Sequence, residues 1–188
     1  MGKIIIFVGT PGAGKSSVLK GVKGAHYKLL NIGTEMFNVA KRDYHVTDRD
    51  DMRKLNSDDI KRIRNTVFDS IRKETANLIL DTHASIRSGP RFVPGFTIDE
   101  LQSLNEIMTI VYVDSSSHDI IARRSKDLMR RRDVEDETDL EEQREVNLSL
   151  IGTYAAIIGI PIYIIKNKEG KVDEAIAQAN AIVTETFE

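Results

Sequence analysis

The chain has 188 residues, a formal net charge of −2 and no cysteine. That length supports one domain with a substantial core, the charge argues against a general nucleic-acid binder, and the missing thiols exclude a disulfide framework and a thiolate zinc site. His26, His45, His83 and His118 show no metal-ligand spacing, and no apolar run approaches the ~18 residues of a membrane span. No charged region followed by a cleavable apolar segment precedes Gly9, so the expectation is a soluble, cytoplasmic protein.

The first predicted strand, Lys3 to Val8, breaks into Gly9-Thr10-Pro11-Gly12-Ala13-Gly14-Lys15-Ser16-Ser17. This run satisfies GxxxxGK[ST] in the strand-turn-helix setting that the motif requires. The glycines let successive N–H groups converge on one phosphate, and a helix predicted from Lys15 to Lys23 adds its unsatisfied N-terminal donors. Lys15 can then reach the β- and γ-phosphates while Ser16 ligates Mg2+. A corner with glycines for geometry alone does not ask for Lys-Ser after the last glycine.

Further strands are predicted at Tyr27 to Ile32, Asn77 to Asp81, Ile107 to Val113 and Pro161 to Lys166. Helices are predicted at Thr34 to Arg42, Asp58 to Thr75, Ile98 to Leu104, Ser117 to Arg131, Leu140 to Ile158 and Val172 to Thr186. This alternation points to a five-stranded parallel α/β sheet in a single core with inserted segments. Ligands of such sheets sit beyond the carboxyl ends of the strands, and the residues there are polar. They are Gly33-Thr34-Glu35, Asp81-Thr82-His83 and Asp114 to Ser117. Asp81 is the candidate acidic partner of Mg2+, weighed against a surface aspartate that ends a strand. Ser117 reads as a helix cap.

Two arginine-bearing segments stand out. Asp48 to Leu55, which includes Arg53, lies where an insertion could close over a second substrate. Arg123, Arg124, Lys126 and Arg130-Arg131-Arg132 precede the acidic stretch Asp133 to Glu142. Arginines that converge on a transferring phosphoryl group contribute about a thousand-fold or more to rate, although a solvated helix face accounts equally well for any single one. Ile151, Ala155, Ala156 and Ile158 on a late helix read as core or as a subunit contact.

In order, Gly9 to Ser17, Asn31 to Phe37, Asp48 to Leu55, Asp81-Thr82-His83 with Pro94-Gly95, Arg130 to Asp133 and Lys166 to Gly170 resemble the archaeal-type adenylate kinases, a branch of the P-loop nucleoside monophosphate kinases. The resemblance spans nearly the whole chain. It implies a P-loop NTPase fold, three-layer α/β/α with sheet order 2-3-1-4-5, an AMP-binding insertion at about 34–75 and a short lid at about 123–140. It further implies reversible, Mg2+-dependent transfer of the ATP γ-phosphoryl to AMP, giving two ADP, in adenine nucleotide homeostasis.

By that resemblance Gly9, Thr10, Pro11, Gly12, Ala13, Gly14, Lys15, Ser16 and Ser17 hold the ATP phosphates. Gly33, Thr34 and Arg53 belong to the AMP region, and Arg87 reaches the AMP phosphate. Arg130 and Arg132 are lid arginines, supported by Arg123. The implied partners are ATP and AMP, without nucleic acid or membrane, and the homotrimer common among archaeal members is the implied assembly. The chain departs from the bacterial pattern at Met36 and Phe37 and again at Thr82 to Arg87, which leaves open which arginine grips AMP. A kinase for another nucleoside monophosphate or small acceptor, and a nucleotide-dependent switch or assembly factor, remain as alternatives. Against a GTP switch, Asn167-Lys168-Glu169-Gly170 lacks the aspartate of a guanine-reading NKxD motif.

Overall fold

The computed structural model describes residues 2–23, 26–104, 106–126 and 136–188. In chain order its elements are β1 (Ile4–Gly9), α1 (Lys15–Gly21), β2 (Lys28–Asn31), α2 (Ile32–Tyr44), a 3-10 turn (Arg49–Lys54), α3 (Ser57–Arg72), β3 (Leu78–Asp81), β4 (Ser85–Ser88), β5 (Arg91–Pro94), α4 (Ile98–Ser103), β6 (Ile107–Asp114), α5 (Ser117–Lys126), α6 (Glu137–Ile158), β7 (Ile162–Lys166) and α7 (Val172–Phe187).

β1 is buried at every position because a central parallel strand is covered on both faces. It pairs in parallel with β3 on one side and β6 on the other, and the full order is β2-β3-β1-β6-β7. With the β4–β5 hairpin in its own small sheet, this is the 2-3-1-4-5 arrangement that the resemblance implies. Alternate side chains of β1 serve opposite layers, as the two-residue period of a strand requires. Ile4, Ile6 and Val8 join residues of α2, α3, α4 and α6, while Ile5 and Phe7 join Val18 and Leu19 of α1 and Ala175 and Ala179 of α7. Ile151 and Ala155 lie in the first of these clusters, whereas Ala156 is exposed. No helix among the described residues is long and apolar enough to cross a membrane.

Local capping sets several boundaries that periodicity misplaces. Asn31 ends β2 and immediately caps α2, its Oδ1 accepting from the Thr34 N–H at 2.9 Å, so the helix begins before Thr34. Asp136 and Asp139 form a capping box that starts α6 ahead of Leu140. At α5 the cap is Ser116 rather than Ser117, since the Ser116 Oγ accepts from the Asp119 N–H at 3.1 Å and Ser117 already belongs to the first turn.

The β4–β5 hairpin lies outside the predicted set. Each of its strands has four residues, Gly89 takes a φ of 60° at the turn, and the pairs Ile86↔Val93 and Arg87↔Phe92 lie directly opposite. Ile86 and Val93 are both about half exposed, so the segment has no apolar face that would mark it as core strand. Its foot is fixed by close backbone approach, for a Cβ on Gly95 would stand 1.8 Å from the His83 carbonyl oxygen.

Phe68 of α3, 1% exposed, meets the Phe96 ring edge-on at 6.1 Å, and Phe96 meets Tyr154 of α6 in the same way at 6.4 Å. Phe68→Ala is therefore expected to lower stability by about 3–5 kcal/mol in urea titration, from lost burial plus the cavity left behind. Arg62→Ala, on the solvent face of the same helix, is expected to stay within about 0.5 kcal/mol.

Candidate active site

The phosphate loop is clasped from behind. Gly9 leaves β1 flush against β6, where a Cβ would sit 2.6 Å from the Val113 carbonyl oxygen. Gly14 has a φ of 85°, and a Cβ there would also meet the Asn167 Nδ2 at 2.2 Å, so conformation and space both favour glycine. The Gly14 carbonyl accepts from the N–H groups of Ser17 and Val18 and opens α1. Ala13 is fully buried in a small cluster with Ile120 of α5 and Leu140 of α6.

Two of the loop's carbonyls, those of Pro11 and Ala13, are met by side chains. Arg124 donates to the Pro11 carbonyl at 2.6 Å, and the Ala13 carbonyl accepts from Asn167 Nδ2 at 2.7 Å and from Arg123 at 3.2 Å. Arg123 also donates to the Asn167 carbonyl, the Ser115 Oγ and the Glu169 carboxylate. The Ala13 N–H donates to the Thr10 carbonyl within the loop, and the exposed start of α1 offers its N-terminal N–H groups to an anion.

At the end of the loop Lys15, 8% exposed, forms an ion pair with Asp81, the last residue of β3. Burial pulls the Lys15 ammonium down to about 8, which still leaves it charged at neutral pH. Asn31 Nδ2 donates to Asp81 Oδ2 at 2.7 Å while its Oδ1 caps α2, so one amide ties the start of α2 to the acidic residue. His83, two residues on, is pushed down to about 4, first by burial and then by the Lys15 charge, against the opposing Gly9 carbonyl. Its imidazole is therefore neutral at pH 7.

Asp81 and Ser16 suit a Mg2+ ion. Ser16 is exposed in the first turn of α1, and Asp81 Oδ1 has no hydrogen-bond partner beside its ion pair with Lys15. Among the described residues no group of three or more His, Asp or Glu side chains could hold a metal by itself. A single carboxylate and a hydroxyl, completed by water and substrate phosphates, is the donor set that Mg2+ prefers.

The other residues singled out in the sequence are dispersed around this centre. Gly33 packs against Arg49, whose guanidinium would lie 2.2 Å from a Cβ at that position, and Thr34 Oγ1 donates to Asn31 Oδ1 at 3.0 Å. Among the described side chains Arg49 is the guanidinium beside Gly33. Arg87, on the hairpin, donates to the Asp139 carboxylate at 2.7 Å and its backbone carbonyl at 3.1 Å, and lies over the Phe92 ring. The Arg53 side chain, Arg130 and Arg132 lie outside the described residues.

Sequence reasoning missed Arg144 and the structural role of Asn167. Arg144 of α6 grips Asp114 with two bonds of 2.8 Å, and Lys166 adds a third at 2.5 Å. All three line an open cleft of about 620 Å³ at the ends of β6 and β7. Burial pushes the Asp114 carboxyl up, but the hydrogen bonds and charges of Arg144 and Lys166 outweigh it and hold the carboxyl below its ordinary value.

A family profile described as an AAA domain matches residues 8–141. The adenylate kinase of Methanocaldococcus jannaschii is 34% identical, covering 94% of this chain and 95% of its own length. That of Methanococcus aeolicus is 32% identical, covering 96% and 97%. Among solved structures, a shikimate kinase from Acinetobacter baumannii in complex with shikimate superposes with a TM-score of 0.60 at 18% identity, over 100% of this chain and 97% of that one. At that identity the likeness concerns the fold.

Asp114→Asn is expected to destabilise the protein at pH 7 by about 1 kcal/mol, because it removes the carboxylate that the partly solvated Arg144 and Lys166 share. A depressed carboxyl pKa contributes stability above its unfolded value of 3.8 and loses it as pH falls through the folded value. Urea titrations of both proteins at pH 7 and pH 3 should therefore show the difference shrinking toward acid.

Proposed function

The chain belongs to the adenylate kinase family, and on that premise we propose that it transfers the γ-phosphoryl of MgATP to AMP at the site built around Lys15 and Asp81. The observation that carries this reading is a phosphate loop whose Pro11 and Ala13 carbonyls are occupied by Arg123, Arg124 and Asn167 while Lys15 rests against Asp81 at its open end. Residues Gly9 to Ser17 take the ATP phosphates, and Lys15 exchanges its contact with Asp81 for the β- and γ-phosphates. Ser16 and Asp81 hold Mg2+, which when bound offsets the charge of the phosphate oxygens.

AMP is placed beyond β2 and β3, with Gly33, Thr34, Arg49 and Arg53 around it. Arg87 reaches its phosphate after exchanging Asp139 for the substrate. An AMP phosphate oxygen attacks the γ-phosphorus in line, the bond from that phosphorus to the β-γ bridging oxygen breaks, and ADP forms on both sides. The nucleophile is already an anion at neutral pH, so no protein base is required. Arg130 and Arg132, backed by Arg123, stabilise the charge on the transferring group. Closing over the substrates excludes water, the competing acceptor, and alignment of the two nucleotides supplies on the order of 7–11 kcal/mol of barrier lowering. A cytoplasmic location and a homotrimer belong to the same proposal.

The test is chromatography of nucleotide products after incubating the protein and MgATP with AMP, CMP, UMP, GMP or dTMP, or with no acceptor. ADP formed rapidly with AMP alone, and reversibly, is the expected result; slow hydrolysis indifferent to acceptor would overturn it. Lys15→Ala should lower turnover at least ~100-fold in a folded protein. Arg132→Ala should reduce kcat more than it raises KM for AMP, as expected of a group that acts on the transition state.

A further inference from the structure

Four polar side chains, one of them from the phosphate loop, are buried together. Thr10, Ser85, Tyr112 and Asn147 are 4%, 1%, 0% and 1% exposed. They form a continuous chain in which the Ser85 Oγ donates to Asn147 Oδ1 at 2.6 Å and Asn147 Nδ2 donates to Thr10 Oγ1 at 3.3 Å. Thr10 Oγ1 in turn meets the Tyr112 hydroxyl at 3.0 Å. Each residue comes from a different part of the fold, namely β4, α6, the phosphate loop and β6.

Apolar side chains of the same size would fill this space without the desolvation cost of four polar groups, so stability alone does not account for them. A fully paired polar network specifies one arrangement instead of many. The direction of the bonds matters here. Because the Ser85 hydroxyl holds the Asn147 carbonyl oxygen, the amide NH2 is turned toward Thr10. Gln143, one turn earlier on α6, is equally buried at 2% exposed, yet its Oε1 has no hydrogen-bond partner.

We propose that Asn147 is a positioning residue for phosphoryl transfer: oriented by Ser85, it fixes Thr10 and thereby sets the phosphate loop against α6. Thr10 lies between Gly9 and Pro11, so a change in its seat moves the backbone that holds the phosphates. Displacement of reacting groups by about 1 Å costs roughly 100-fold in rate, which makes such a clamp catalytically visible without substrate contact. The inference rests on the assignment of the loop to ATP, and wild-type turnover of MgATP with AMP tests that assignment separately.

The deciding experiment is steady-state kinetics of Ser85→Ala, Asn147→Leu and the double variant, each held well below its measured Tm, with Gln143→Leu as control. Both single variants should lower kcat about 10-fold or more while KM for ATP and for AMP each change less than about threefold. The double variant should be no slower than Asn147→Leu, because Ser85 acts through Asn147, and Gln143→Leu should keep kcat within about twofold. Wild-type kcat in the two single variants, or a loss expressed wholly in Tm or KM, would overturn the proposal. Should Asn147→Leu not fold, Ser85→Ala decides alone, since it removes one hydroxyl and little volume.

Discussion

A loop that offers its N–H groups to an anion must turn its carbonyls the other way, and those oxygens need donors if they are not to be stranded inside the protein. Here Arg124 takes Pro11, and Arg123 and Asn167 share Ala13. This constraint organises the end of the sheet that faces the substrates. It fixes α5 against the loop through two consecutive arginines and fixes the start of the β7–α7 connection through Asn167. At Gly14 the left-handed φ of 85° favours glycine, and the Asn167 amide lies where a Cβ would project.

The same logic runs through the acidic side of the site. Asn31 is at once the last residue of β2, the cap of α2 and the donor to Asp81. A strand end, a helix start and the orientation of a carboxylate are thus one decision made by one amide. α5 and α6, which flank residues 127–135, both anchor on the phosphate loop, α5 through Arg123 and Arg124 and α6 through Leu140 beneath Ala13.

Much of this was legible in the sequence, and what escaped did so for identifiable reasons. The five sheet strands are runs of apolar β-formers, the phosphate loop is a motif of fixed spacing, and the order of strands followed from the family resemblance. The hairpin escaped because its short strands show their apolar pair, Ile86 and Val93, to solvent instead of to a core. Gly89-Pro90 between two alternating tetrads was the signal available for it. Arg144 and Asp114 are thirty residues apart, and Ser85 and Asn147 are sixty-two apart, so nothing local reports that they meet. Asn167 was conspicuous only as the first residue of a run that resembles a guanine-reading motif, whereas its bonds to the phosphate loop emerge from the fold.

The central position of β1 also has a consequence for synthesis. Ile4 pairs with Leu78 and with Ile107, so β1 leaves the ribosome well before either of its partners is made. At about 5–20 residues per second, roughly 100 further residues take on the order of 5–20 s. Until Leu78–Asp81 is made, Ile4-Ile5-Ile6-Phe7-Val8, a run with strong β-propensity and no charge, has neither of its sheet neighbours, and until Ile107–Asp114 follows it still lacks one. Nascent chains are therefore most vulnerable to intermolecular pairing before β6 is translated, and general chaperones that hold apolar segments would act at that stage.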